Sequence, residues 1–449
     1  MHAPSGPTDA VDESRPSLRL PLAQLLQLSV YWFGINAIWG ALDGVILQER
    51  IPAMVSPDVS VRALAFVKVV AVIMAIAIQP TIGSISDYTM SRWGRRKPYI
   101  AIGAVLDVVF LLGIATAQTY LSVFAFIVLL QFSSNFAQGP FHGYIPDLVP
   151  GVQVSLASAL VGIMSVLGVV GGQAVASVGY LLKDGAGHPD FTIPTIAVGL
   201  IELATAIGTV AWVREGRAPK SRGGRSWLAI AGEAWGADIL KERSFLWLVG
   251  SRLFFLMGVG MIYNTNVLYL TRSLLLTDRE KAFWVPVTSV VIGLAIIAST
   301  IPAARLSDRI GRKKVIYASC ALAAVGLATL VGAPGVLVAE IGILLVAVGA
   351  GAFLAVDWAL MTDIIPKASS GRYMGLSNVA TASSGALALV VGGIIIDVIG
   401  GPQHDGIGPR TAFAVAIAFY VLAAICLRPV DERRREDLPL TSSPAAMAG

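Results

Sequence analysis

The chain has 449 residues, of which 55% are hydrophobic and only 14% are charged. A soluble enzyme of this composition would expose a large apolar surface and aggregate, so that class of protein is excluded. Apolar runs of about 20 residues, the length needed to cross a hydrocarbon core of about 30 Å, recur along the chain and predict an all-α membrane protein.

Twelve transmembrane helices are predicted, in two six-helix bundles. Their ranges are 23–47, 62–85, 99–117, 120–146, 154–182, 192–213, 244–271, 282–303, 315–332, 335–363, 371–399 and 410–428. The predicted organisation is an N-terminal tail (1–22), an N-terminal bundle (23–213), a central loop (214–243), a C-terminal bundle (244–428) and a C-terminal tail (429–449).

The distribution of Lys and Arg predicts the orientation. If the N-terminus is cytoplasmic, most of the 33 basic residues fall in cytoplasmic segments, with the central loop the richest of them. The net charge of +5 therefore indicates membrane topology and no nucleic-acid partner. We expect an integral protein of the plasma (inner) membrane, with both tails and the central loop in the cytoplasm.

The two halves repeat each other in sequence. Ser86-Asp87 with Gly94-Arg95-Arg96-Lys97 reappears as Ser307-Asp308 with Gly311-Arg312-Lys313-Lys314. The segment 144–150, which contains Asp147, is echoed by 360–366, which contains Asp363, and Gly171-Gly172 by Gly392-Gly393. Three echoes in the same order indicate a duplicated six-helix unit, and two such repeats with a site between them at mid-membrane are a transporter architecture.

The repeated loop motif resembles one of the major facilitator superfamily. Gly83-x-x-x-Asp87 with Arg95-Arg96-Lys97 is similar to its loop between the second and third helices. The resemblance implies a gating role for Gly83, Asp87, Arg95 and Arg96, and for their counterparts in the repeats, which are Asp308, Arg312, Asp147 and Asp363. Salt bridges formed by such groups can hold one conformation closed and break in the other.

A narrower resemblance is to sucrose–proton symporters and the glycoside–pentoside–hexuronide group. It rests on Gln79-Pro80-x-x-Gly83-x-x-Ser86-Asp87, on 92–98 and on Asn135-x-x-Gln138-Gly139-Pro140. The sequence departs from the plant carriers at Gln131, where they hold the carboxylate that takes the coupling proton. Any proton coupling must then use another acid.

Polar residues inside the predicted helices are spaced along single helical faces. The fourth helix carries Gln131, Asn135, Gln138 and His142, and the first carries Trp32, Asn36, Trp39 and Asp43. The superfamily resemblance implies that the first, fourth, seventh and tenth helices line the cavity. The predicted solute-binding residues are Asn36, Trp39, Gln131, Asn135, Gln138, His142, Tyr263, Asn266, Asp357 and Trp358, with Asp43 or Asp357 as the proton-coupling carboxylate.

Each of these assignments has a structural alternative. The amides of the fourth helix could join helices together, and Asp43 could reach interfacial water. Asp107 and Glu202 sit mid-helix on normally peripheral spans, where pairing or a neutral protonated state is expected. Arg252 could snorkel or pair with a carboxylate.

No enzyme constellation is found. A phosphate-binding Gly-rich loop ending in Gly-Lys-Ser/Thr is missing from the sequence, which disfavours ATP-driven pumping. The four His residues have no metal-ligand spacing, and no metal or cofactor is expected.

The leading hypothesis is therefore a monomeric, proton-coupled carrier of a sugar or another small polar solute, working by alternating access. Two alternatives stay open: an exporter of drugs or metabolites from the same superfamily, and a non-transporting receptor or assembly factor on a carrier scaffold.

Overall fold

The computed structural model describes residues 18–56, 59–89, 91–150, 153–215, 243–364, 370–400 and 406–431. Within these ranges, twelve helices are long and apolar enough to cross a membrane, which confirms the prediction. In chain order they are α1 Leu22–Met54, α2 Ser60–Ser86, α3 Lys97–Thr116, α4 Tyr120–His142, α5 Val154–Ser177, α6 Thr192–Trp212, α7 Arg243–Ser273, α8 Asp278–Ile310, α9 Arg312–Gly332, α10 Val336–Ile364, α11 Ser370–Gly400 and α12 Ile407–Leu427. Most of the predicted central loop and of both tails lies outside the described residues.

The same packing pattern appears twice. In the first half, α1 packs on α5 and α6, α4 packs on α2 and α3, and α3 packs on α6; the second half repeats each pair with the corresponding helices α7–α12. The halves meet where α2 packs on α11 and where α5 packs on α8. The sequence duplication therefore corresponds to two six-helix pseudo-repeats.

We name the two membrane faces by what lies at them. At the terminal face α1 begins and α12 ends, and the loop between α2 and α3 lies there too. At the far face α1 and α7 end and α8 begins.

Two helices contain a π-helical turn near the far face. These wide turns are Leu42–Ile46 in α1, which includes Asp43, and Tyr269–Ser273 in α7. Such turns free backbone carbonyls from the regular ladder and occur most often at functional sites. Both turns lie in the far-face part of the first helix of their half.

Helix α8 is longer at both ends than the predicted 282–303. It begins with a capping box, in which Thr277 accepts a hydrogen bond from the backbone of Glu280 and the Glu280 side chain accepts one from the backbone of Thr277. It ends at Gly311, whose φ of +98° breaks the helix and starts α9. Both signals are local, so an apolar-run criterion does not detect them.

Candidate functional site

The amide stripe of α4 is hydrogen-bonded along its own helix. Asn135 Nδ2 donates to the backbone and side-chain oxygens of Gln131, at 2.8 and 2.9 Å, and Gln138 Nε2 donates to Ser134 at 2.8 Å. Each of these recorded bonds stays within α4, which argues against the alternative that the amides join neighbouring helices. The amide oxygens of Asn135 and Gln138 remain available to hydroxyl donors.

An aromatic and imidazole group lies between α1, α2 and α4. The ring of His142 lies 4.7 Å from that of Trp32, and its Nδ1 is 3.1 Å from Gln79 Nε2. His142 is exposed although it sits among three helices. Asn36, further along the same stripe of α1, is half-buried and donates to the Trp32 carbonyl at 2.8 Å.

The second half contains a buried ion pair between α7 and α10. On α7, Arg252 forms an ion pair with Asp357 of α10, Nη1 to Oδ2 at 2.8 Å, and both side chains are buried. The Arg252 guanidinium also lies 4.9 Å from the ring centroid of Trp358 and donates to Thr381. Of the two alternatives for Arg252, snorkelling or pairing, the structure has the pair.

Asp43 forms an ion pair with a lysine that was not among the predicted site residues. Lys68 of α2 pairs with Asp43 at 2.8 Å and donates to Asn264 Oδ1 of α7 at 2.7 Å. Exposed fractions are 26% for the Asp43 side chain and 10% for that of Lys68. A mid-span Lys is a functional-site signal by itself, and Lys68 could have been selected on that ground.

The side chain of Gln48 connects the π turn of α1 to α7 of the opposite half by hydrogen bonds. Its Nε2 donates to the carbonyls of Asp43 (2.8 Å) and Gly44 (3.2 Å) in that turn, and to the Tyr263 carbonyl of α7 (3.1 Å). Its Oε1 accepts from the backbone N–H of Val267 at 3.2 Å. The side chain is 1% exposed, so these bonds form out of contact with water.

Two other predicted residues of α1 and α7 lie beside this contact. The Tyr263 hydroxyl approaches the Trp39 carbonyl at 3.5 Å, across the interface between the halves. Asn266 is half-buried, and its Oδ1 has no hydrogen-bond partner. Together with Asn264 they form a polar patch on α7 facing α1 and α2.

Ion pairs close the far face. Lys281 of α8 pairs with Glu49 of α1 at 2.9 Å, and Lys183 pairs with Asp278 at 2.8 Å. Asp397 of α11 accepts from the first backbone N–H groups of α2 and pairs with Arg62 at 3.3 Å. All of these contacts join the two halves.

The loop motif forms a charge network at the terminal face. Arg95 pairs with Asp147, and Arg96 lies 2.9 Å from Asp87 and 2.7 Å from Asp147. Arg96 also donates to the Pro140 carbonyl at the end of α4. These residues all belong to the first half, so the bonds named here hold the terminal end of that half together.

Glu215 completes this network by capping α3. Its carboxylate accepts from the backbone N–H groups of Arg95, Arg96 and Lys97, at 2.7–3.2 Å, and from the Tyr144 hydroxyl at 2.7 Å. Burial and the nearby carboxylate raise the pKa of Tyr144 well above its usual value, so the hydroxyl stays a donor. A carboxylate at a helix N-terminus is stabilising, and sequence reasoning missed this one.

The remaining motif residues are placed as follows. Gly83 of α2 faces the backbone of Gly139 in α4, where a larger residue would separate the helices. In the second half Asp308 is exposed and Arg312 is half-buried, while the side chain of Asp363 lies outside the described residues. The gating assignments of these residues stay predictions.

Comparison with known proteins gives a family match over most of the chain. The model of the family described as MFS/sugar transport protein matches residues 56–428. The human Membrane-associated transporter protein is 28% identical over 165 residues, which cover 32% of this chain and 29% of that protein. The mouse Proton-associated sugar transporter A is 31% identical over 160 residues, which cover 31% of this chain and 21% of that protein. The chain thus spans less than a third of the length of either relative.

Solved structures share the fold at low identity. The nucleoside transporter NupG (D323A mutant) superposes with a TM-score of 0.70 at 15% identity, covering 90% of this chain and 99% of the other. The D-xylose–proton symporter gives 0.69 at 16% identity, covering 92% and 98%. These likenesses support the twelve-helix fold, and the family match covers nearly all of it. The chain is an integral membrane protein that belongs to the MFS/sugar transport family of secondary transporters, within the major facilitator superfamily.

Proposed function

We propose that the protein is a monomeric proton-coupled carrier of a sugar or a similar polar solute, with its terminal face in the cytoplasm of a plasma (inner) membrane. The single observation that carries this proposal is the chain of contacts Asp43–Lys68–Asn264. It places a titratable, partly exposed carboxylate beside a bond between the two halves.

The solute binds between the halves, toward the terminal side of that contact. The groups offered there are the amides of Asn135 and Gln138, the imidazole of His142 and the ring of Trp358, which is 39% exposed. Amides exchange hydrogen bonds with sugar hydroxyls, and aromatic rings pack on the C–H faces of a sugar. The family description and the name of the mouse relative support the same solute class.

Coupling uses Asp43 of α1 or Asp357 of α10, each of which pairs with a buried cation. A proton that binds Asp43 neutralises the partner of Lys68 and changes the balance between its bonds to α1 and to α7. Since Lys68 bonds across the halves, protonation changes the relative free energy of the closed and open far face. Asp43 is favoured over Asp357 because 26% of its side chain is exposed, whereas Asp357 is fully buried.

The test is transport by the purified protein in proteoliposomes. A thermal-shift screen of sugars, nucleosides and amino acids first selects a solute, and uptake of that solute is then measured with and without an imposed pH gradient. We expect a sugar to be selected, accumulation driven by the gradient, and loss of accumulation with a protonophore. Uptake that ignores the gradient would refute the coupling, and selection of a non-sugar alone would refute the solute class.

A further inference from the structure

A second group of buried polar side chains lies where α1, α3, α4 and α6 meet, in the first half. It consists of Tyr31, Asp107, Ser133 and Glu202, each 0% exposed. None of them belongs to the solute or coupling residues proposed above.

The carboxyl oxygens of this cluster outnumber the hydrogen-bond donors beside them. The Ser133 hydroxyl donates to Asp107 Oδ1. Asp107 Oδ2, both carboxyl oxygens of Glu202 and the Tyr31 hydroxyl are buried without a hydrogen-bond partner of normal geometry. Tyr31 faces Glu202, and the carboxyl groups of Glu202 and Asp107 lie close enough to repel each other if both are charged.

No cation compensates these groups among the residues that the structure describes. The titratable groups that act on the cluster are its own members: Tyr31 from α1, Asp107 from α3 and Glu202 from α6, with Ser133 as the neutral contact from α4. Two other buried carboxylates of this protein do have a cation: Asp357 has Arg252, and Asp397 has Arg62.

Two adjacent carboxylates cannot both stay ionised under these conditions. An unpaired charge in a water-free interior is so costly that the group takes up a proton, and a like charge beside it raises the cost further. A protonated carboxyl supplies the donor that the orphaned oxygens lack.

We propose that Asp107 and Glu202, with Tyr31 beside them, form a proton-binding site that retains at least one proton per molecule. This proton is separate from the transported one, because the site is fully buried and lies apart from the bond that Lys68 makes across the halves. The proposal needs no solute and does not depend on the transport mechanism.

Infrared spectroscopy of the purified full-length protein tests the site directly. We expect the wild type to show the carbonyl stretch of a protonated carboxylic acid at neutral pH. Asp107→Asn and Glu202→Gln should each shift the part of this band that comes from the site, since one unpaired carboxyl remains, and the double variant should lose that part. The Asp397→Asn control should keep it. An identical band in the wild type and the double variant would overturn the proposal.

Thermal stability against pH gives a second readout. The folded protein keeps a proton that the unfolded chain releases above the ordinary range of a carboxyl group, so wild-type stability should fall as the pH rises above that range. Glu202→Gln alone leaves Asp107 as a buried, unpaired carboxyl group and should keep this decline, whereas the double variant, which has no carboxyl group in the site, should flatten it. A double variant with the pH dependence of the wild type would contradict a retained proton.

Discussion

Replacement of Gln48 by Leu should open the far face. Gln48 makes two hydrogen bonds across the halves, to the Tyr263 carbonyl and from the Val267 N–H, and both must break when the far face opens. A net contribution of about 1 kcal/mol for each neutral hydrogen bond gives about 2 kcal/mol in favour of closure. Its loss should shift the ratio of closed to open molecules by roughly 30-fold.

The change in the ratio of closed to open molecules can be measured by electron paramagnetic resonance. The measured quantity is the distribution of distances between spin labels at Gly185 and Gly335, which lie in far-face loops of opposite halves. An added side chain meets nothing within 4 Å at either position. The bonds of Gln48 to its own π turn lie within α1, so the predicted shift counts only the two bonds to α7.

A matched control is Gln153→Leu. Gln153 also exchanges one donated and one accepted backbone bond, with Leu20 at 2.9 and 2.8 Å, but within the first half. Its replacement should leave the label distances unchanged. Equal distance distributions for the Gln48 and Gln153 variants would refute the reasoning that Gln48 closes the far face.

Three further changes test other parts of the account. Asp87→Asn should slow transport more than it lowers expression, because it removes one of the two carboxylates paired with Arg96 without a change of shape; an unaltered transport rate would exclude a mechanistic role for the loop. Glu215→Gln should lower stability by about 1–3 kcal/mol, read as a lower melting temperature, because a charged cap of three backbone N–H groups is lost; no change would exclude the cap. A cysteine at Gly185 should react with an impermeant thiol reagent in intact cells and one at Trp93 should not, whereas the reverse would invert the proposed orientation.

Much of the fold could be predicted from sequence because a membrane span leaves a long, simple signal. Twelve apolar runs matched twelve helices in the described part of the chain, and the repeated motifs matched two halves with the same packing. The ends were less predictable, since they depend on single local contacts. The capping box at Thr277 and the segment Leu47–Met54, which continues α1 beyond the predicted end at residue 47, are examples.

Sequence spacing could select candidate site residues but not their pairings. Spacing alone placed polar residues on the faces of α1 and α4, yet it could not tell that Asp43 pairs with Lys68 or that Asp357 pairs with Arg252. These partners are on different helices, and their proximity depends on how the helices pack. Gln48 was missed because its role is a contact with α7, which has no periodic signature.

We propose that Asp43 or Asp357 couples movement of the solute to a proton gradient. The most direct test compares uphill accumulation of the solute with solute exchange in the same proteoliposomes. An Asn replacement of the coupling carboxylate should abolish accumulation and preserve exchange, because exchange needs no net proton movement. Asp107→Asn and Glu202→Gln serve as buried-carboxylate controls with milder effects expected. If both Asp43→Asn and Asp357→Asn still concentrate the solute against its gradient, the account of coupling is contradicted.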